Sequence, residues 1–249
     1  MLPGMHDIIL TGASRGIGRA LALELGRRDD TRLWLCARSA DALRSVAERC
    51  RHAEALPIDL SSVAEAGQLG RTLCERMSGR ALLIHNAGVW PGRRELTAEG
   101  YERAYAINHA APLALQAPLL EAHKLARVLV ISAGLIGIGK VDPSRTPSGR
   151  DFSALRTYAN TKRAFAEAVR ELAPRHPEVD FVVVHPGVVR TELGARPGIM
   201  GRLLDLAKRR WEAPEICAVR LTHLIDRPQV AQPGQAAWYF ETEPKAWPI

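Results

Sequence analysis

The sequence predicts an α/β fold: a single doubly wound domain whose mostly parallel, seven-stranded sheet is flanked by helices. Three observations carry this. Short apolar runs alternate with helix-length amphipathic stretches along the chain. Several runs, such as Val128–Ile131 and Phe181–Val184, are apolar at every position, as strands covered on both faces are. A glycine-rich turn joins the first run to the first amphipathic stretch. A length of 249 residues suits one domain with a sizeable core, and no internal repeat or low-complexity linker divides it.

In chain order, strands are expected at His6–Thr11, Arg32–Ala37, Ala53–Pro57, Ala81–His85, Arg127–Ser132, Asp180–His185 and Ala237–Phe240. Helical periodicity falls on Arg15–Arg28, Ala40–Arg51, Val63–Met77, Ala98–His123 and Leu155–Pro174. The Gly/Pro/Ser-rich stretch Asp142–Asp151 reads as a surface loop, not a domain boundary.

Composition excludes several classes. The formal charge is +7, but the arginines are dispersed, and the densest group, Lys208-Arg209-Arg210, is not interleaved with aromatics. A solvated basic surface is expected and no nucleic-acid partner. Cys36, Cys50, Cys74 and Cys217 stand far apart with no C-x-x-C, so neither a zinc site nor a disulfide framework is suggested, and reduced thiols fit a cytoplasmic protein. The first apolar run, Ile8-Ile9-Leu10, lacks the basic flank and length of a signal peptide. No stretch approaches the roughly 20 apolar residues needed to span a bilayer.

The first strand ends in Thr11-Gly12-Ala13-Ser14-Arg15-Gly16-Ile17-Gly18. Glycines are needed where backbone approaches a pyrophosphate and where the next helix packs closely on the sheet. The phosphates then sit at the positive helix terminus. The turn therefore reads as a Rossmann-type dinucleotide site, with Gly12, Ser14, Arg15, Gly16, Ile17 and Gly18 as candidate contacts. An NAD-selective site places an acid at the end of the second strand, about 20 residues on. Here that strand ends in Cys36-Ala37-Arg38. With the acid missing, Arg38 and Arg15 suit the 2′-phosphate of NADP, because guanidinium offers a planar fork of donors.

The T-G-x-x-x-G-x-G spacing resembles the short-chain dehydrogenase/reductase family, and further matches follow in family order. His85-Asn86-Ala87-Gly88 resembles the family's N-N-A-G, with His in place of the first Asn. Tyr158-Ala159-Asn160-Thr161-Lys162 carries its Y-x-x-x-K, one helical turn apart and so on one helix face. An ammonium beside a phenol of pKa near 10 favours the phenolate, which suits the pair for acid–base work. The resemblance implies that Lys162 also holds the nicotinamide ribose, that Asn108 helps hold a proton-relay water, and that Asp59, with Leu60, meets the adenine. It implies that Pro186-Gly187-Val188-Val189-Arg190-Thr191, matching P-G-x-x-x-T, cradles the nicotinamide through Pro186, Gly187, Val189 and the Thr191 hydroxyl. It extends to a late helix opened by Pro214-Glu215 and to the closing Trp238-Tyr239-Phe240 strand.

Within the family, the retinol dehydrogenase-like carbonyl reductases are similar: they carry V-S-S, then I-G-K, and a long path to the Tyr. Here Ile131-Ser132-Ala133 precedes Ile138-Gly139-Lys140. Matched without gaps, the second Ser, usually the carbonyl-binding one, is Ala133. Ser132 is the remaining candidate for the role; otherwise Tyr158 and another donor hold the substrate oxygen. The resemblance implies NADP(H)-dependent interconversion of a ketone or aldehyde and an alcohol, by an enzyme whose relatives often form homo-oligomers. Apolar residues in 193–211, with Trp90, suggest a hydrophobic substrate and a small lid. The competing reading, motivated by Ala133, is a catalytically weak NADP-binding sensor or scaffold. Retention of Tyr158, Lys162 and Asn108 together argues against it.

Overall fold

The computed structural model describes residues 6–191 and 211–249. Among these, one sheet contains β1 (His6–Thr11), β2 (Thr31–Ala37), β3 (Ala53–Pro57), β4 (Ala81–His85), β5 (Leu125–Ile131), β6 (Asp180–His185), β7 (Ala236–Phe240) and β8 (Glu243–Lys245). Their order is β3-β2-β1-β4-β5-β6-β7-β8. All pairings are parallel except β7 with β8. The eighth strand corrects the expected count of seven. Glu243-Pro244-Lys245 has no apolar signal, and it joins the sheet only as a short edge, through backbone pairing with Phe240, Tyr239 and Trp238.

The described α-helices are α1 (Gly16–Leu25), α2 (Ala40–Ala47), α3 (Val63–Arg76), α4 (Arg103–Tyr105), α5 (Ala111–Glu121), α6 (Ala154–Leu172) and α7 (Pro214–Ile225). Alternate strand residues feed two core layers. Leu33 and Leu35 of β2 share one layer with Leu21 and Leu25 of α1, Leu43 of α2 and Leu221 of α7. Trp34 and Cys36 share the other with Leu73 of α3, Leu115 of α5 and Phe165 of α6. The near-continuous apolar strands follow from this double coverage. No described helix is long and apolar enough to cross a membrane.

The stretch expected as one helix over Ala98–His123 is instead a loop, α4, a π-helical turn at Ala106–Ala110, and α5. Gly100 adopts φ +82°, which stops a helix there. The first helical turn is capped by the buried Glu102, whose Oε2 accepts from the amides of Ala104 (2.8 Å) and Tyr105 (3.1 Å). The loop containing Asp142–Asp151 docks on this region. The Glu102 amide donates to the Pro147 carbonyl at 2.7 Å, and Arg94 Nε donates to that of Ser148 at 3.0 Å.

Strand order reverses between β1 and β4, and a doubly wound sheet opens a crevice at the carboxyl ends of its strands at such a point. The glycine turn after β1 and the segment after β4 meet at this point and both line it.

Candidate active site

A cleft of about 1010 Å³ runs over this reversal. Its walls come from the segments after β1 to β6 and from one face of α6. Of the candidate residues, Gly12, Ser14, Arg15, Gly16, Ile17, Arg38, Asp59, Leu60, Asn86, Ala87, Gly88, Ser132, Tyr158, Lys162, Pro186, Gly187, Val189 and Thr191 all line it. Gly18 and Asn108 stand behind its wall.

The glycine turn is held from the end of the adjacent strand β4. Asn86 Nδ2 donates to the carbonyls of Thr11 (2.9 Å) and Gly12 (3.2 Å), and Thr11 Oγ1 accepts from the amides of Asn86 and Ala87, each at 3.1 Å. Gly12 has φ +69°, and a Cβ there would lie 2.8 Å from Asn86 Nδ2. A Cβ on Gly18 would run into the Gly12 carbonyl oxygen, so this glycine serves packing of α1 on the turn. Arg15 stands at the N-cap of α1 in extended conformation. Asp59 Oδ1 accepts from the Ser61 amide at 2.9 Å. Burial pushes the Asp59 carboxyl up, but the Ser61 hydrogen bonds and the fields of Arg38 and Arg103 outweigh it and hold the carboxyl below its ordinary range.

At the other end, Tyr158 and Lys162 share the inward face of α6 and are both buried. Burial pushes the Tyr158 phenol up to about 12 and pulls the Lys162 ammonium down to about 8. The sequence suggests a phenol lowered by its lysine; in the folded chain desolvation dominates, and the phenol keeps its proton. A protonated phenol is the form that can donate to a developing alkoxide. Lys162 Nζ donates to the Ile131 carbonyl at 2.9 Å. Asn108, in the π-turn, has its amide fully engaged. Oδ1 accepts from the Val89 amide at 2.8 Å, and Nδ2 donates to the Val89 carbonyl at 2.9 Å and to Thr161 Oγ1 at 3.0 Å. It ties the segment after β4 to the helix that carries Tyr158 and Lys162. A π-turn at a functional site is a recurring arrangement.

The departures from the family pattern have physical counterparts. His85 is buried, its Nε2 donates to Gln116 Oε1 at 3.0 Å, and burial pulls its pKa to about 3, so it is a neutral core residue at physiological pH. Ser132 and Ala133 both line the cleft. Ser132 Oγ is buried with no hydrogen-bond partner among the described residues, an arrangement that costs about 1–3 kcal/mol until an acceptor or donor pairs with it. Trp90 lies flat on Tyr158, with ring centres 4.7 Å apart and planes 5° from parallel.

Sequence reading missed several cleft residues, among them Ser39, Ile58, Val89, Arg93, Glu95 and Arg103. Their neighbourhood to Arg38, Asp59 and Gly88 is a signal for the first three. Nothing in the sequence brings Arg103 to Asp59, which requires the turn at Gly100. The lid expected over 193–211 lies outside the described residues apart from Trp211.

An elongated cleft over the strand reversal, with glycine backbone and two arginines at one end and a buried Tyr–Lys pair at the other, fits a nicotinamide dinucleotide. These features define a dinucleotide-dependent oxidoreductase. The short chain dehydrogenase family profile matches residues 6–197, and the chain belongs to that family. A putative daunorubicin C-13 ketoreductase from Streptomyces sp. (strain C5) is 33% identical over 78% of this chain and 69% of its own length. Human retinol dehydrogenase 13 is 29% identical over 92% of this chain and 74% of its own. Among solved structures, an alcohol dehydrogenase from the archaeon Thermococcus sibiricus, complexed with 5-hydroxy-NADP, superposes with a TM-score of 0.69 at 23% identity. That match covers 98% of this chain and 100% of the other. A short chain dehydrogenase from Burkholderia cenocepacia J2315 in complex with NADP gives 0.68 at 19%, covering 96% and 98%. The chain is therefore an oxidoreductase of CH–OH and C=O groups that uses a nicotinamide cofactor.

Proposed function

We propose that this protein is an NADP(H)-dependent reductase of hydrophobic ketones or aldehydes, with Tyr158 as its acid/base. The observation that carries the reading is the buried, protonated Tyr158 one helical turn from Lys162 at the end of the dinucleotide cleft. The bound cofactor supplies the hydride that adds to the carbonyl carbon. The chain's own residues do the rest. Tyr158 donates its proton to the carbonyl oxygen as charge develops there, and takes one from the alcohol in the reverse direction. Lys162 holds the ribose and favours the phenolate left behind. Asn108 positions that helix face, and Pro186, Gly187, Val189 and Thr191 hold the nicotinamide. Trp90, Val89 and Pro91 give the substrate end an apolar wall, and the relatives' names, a ketoreductase and a retinol dehydrogenase, support a carbonyl–alcohol substrate. A panel of such compounds assayed by NADPH absorbance tests the reading. Cofactor binding without turnover on any of them would favour the sensor instead.

Arg15 and Arg38 support NADP over NAD, as do the NADP-type ligands in two structural neighbours. Arg38→Ala is expected to raise the KM for NADPH about tenfold or more, the size of one charged hydrogen bond, with NADH changed less than about twofold. Equal loss for both cofactors would remove the 2′-phosphate assignment.

Ser132 is the group proposed to receive the substrate oxygen, since its hydroxyl, without a partner among the described residues, gains one when a carbonyl binds. Ser132→Ala is expected to lower kcat about 10- to 100-fold, with part of the loss restored by adding Ala133→Ser. An unchanged kcat in Ser132→Ala would leave the serine role vacant.

A further inference from the structure

The segment that leaves β6 is gripped from behind by one guanidinium. Arg220, on α7, donates through Nη1 and Nη2 to the two carboxylate oxygens of Glu212, each at 2.6 Å, and through Nη2 to the Pro186 carbonyl at 2.6 Å. Glu241, just after β7, places Oε2 at 3.6 Å from Nη1. The Glu212 backbone clasps the same segment: its amide donates to the Val188 carbonyl at 3.2 Å and its carbonyl accepts from the Arg190 amide at 2.9 Å. The Glu241 amide donates to the His185 carbonyl at 2.7 Å.

Two features show that this grip is tight. Glu241 sits at φ +56°, a conformation that L residues with long side chains hold only when their surroundings impose it. Gly187 has φ +86°, and a Cβ there would lie 2.6 Å from Glu241 Oε1, so the carboxylate rests against the peptide. Arg220 itself is not among the cleft-lining residues, whereas Pro186, Gly187, Val189 and Thr191 are.

We infer that Arg220 is a positioning residue for the nicotinamide half of the cofactor, acting by fixing the Pro186–Gly187 peptide between Glu212 and Glu241. This rests on the reading of Pro186–Thr191 as the nicotinamide cradle. The chemistry requires arginine. One planar fork meets a carboxylate with two parallel bonds and turns the outer hydrogen of Nη2 to a carbonyl, which an ammonium cannot do in that geometry. Without the cation, Pro186 loses its donor and two carboxylates face each other behind the peptide. The cradle then shifts while the glycine turn, held by Asn86 and Thr11, stays in place.

The test separates the two halves of the cofactor. NADPH and adenosine 2′,5′-bisphosphate, which carries only the adenine end, are titrated into wild type, Arg220→Lys, Arg220→Gln and Glu212→Gln. Both Arg220 variants are expected to raise the Kd for NADPH about tenfold, with the bisphosphate Kd changed less than about twofold. Glu212→Gln is expected to move NADPH the same way by a smaller factor. In turnover, the KM for NADPH rises more than kcat falls. The assignment is overturned if NADPH affinity is unchanged, or if both ligands weaken equally, as a general loss of structure would cause. Should the Arg220 variants fail to fold, Glu212→Gln decides by the same comparison. If wild type does not bind the bisphosphate, the NADP reading falls instead, and NADH against ADP-ribose tests Arg220 in the same way.

Discussion

Tyr158→Phe is expected to lower kcat for carbonyl reduction by at least about 10²-fold, the range for loss of a general acid, with the Kd for NADPH within about twofold of wild type. The substitution deletes one hydroxyl and keeps the ring. The flat contact with Trp90 therefore survives, and so does the cleft wall that Tyr158 contributes. A fall in kcat with cofactor affinity preserved is the pattern of an interaction made only in the transition state. Stopped-flow measurement of NADPH oxidation, with fluorescence titration of binding, reads both quantities. Robust turnover by the variant would sink the proposal that Tyr158 is the acid.

Lys162→Met is expected to abolish turnover and to stabilise the fold. Lys162 is buried with the Ile131 carbonyl as its hydrogen-bond acceptor, and burial pulls its pKa from 10.5 to about 8. Because the unfolded chain binds this proton more tightly than the folded chain, the folded state is penalised below pH about 8. The penalty fades as pH rises through the interval up to the unfolded value. A methionine of similar length fills the space without the buried charge. The expected gain near pH 7 is about 2 kcal/mol, or a rise in Tm of about 4–8 °C for a domain of this size. The gap between the two proteins should close from pH about 8 to about 10, since the ionisations of Tyr158 and the cysteines are common to both. Thermal unfolding at several pH values checks the sign. A variant less stable than wild type at pH 7 would show that Lys162 is held by more than its cost of burial. The pairing of lost activity with gained stability is what a side chain retained for chemistry predicts.

Much of this is legible in the sequence alone. A strand buried on both faces must be apolar at successive positions, so β5 and β6 announced themselves, and with them the parallel, doubly wound sheet. The glycine spacing identified the turn after β1 because no other residue fits where a Cβ would collide, as at Gly12 and Gly18. Tyr158 and Lys162 are readable as a pair because their Y-x-x-x-K matches the family's motif and follows the glycine turn and Asn86-Ala87-Gly88 in family order. Where local signals were weak, the reading failed. β8 has no hydrophobic pattern of its own, and the break inside Ala98–His123 depends on Gly100, Glu102 and a loop some forty residues later.

The sequence by itself determined the fold and the dinucleotide turn, which rest on periodicity and glycine spacing, and the Tyr–Lys pair, which rests on its match to the family's motif. Only the tertiary structure decided the electrostatic state of that pair, the stack of Trp90 on Tyr158 and the grip of Arg220 on Pro186. All three arise between residues distant in sequence. Desolvation, ring contact and a forked hydrogen bond exist only once the chain has closed around them, and no local pattern encodes them.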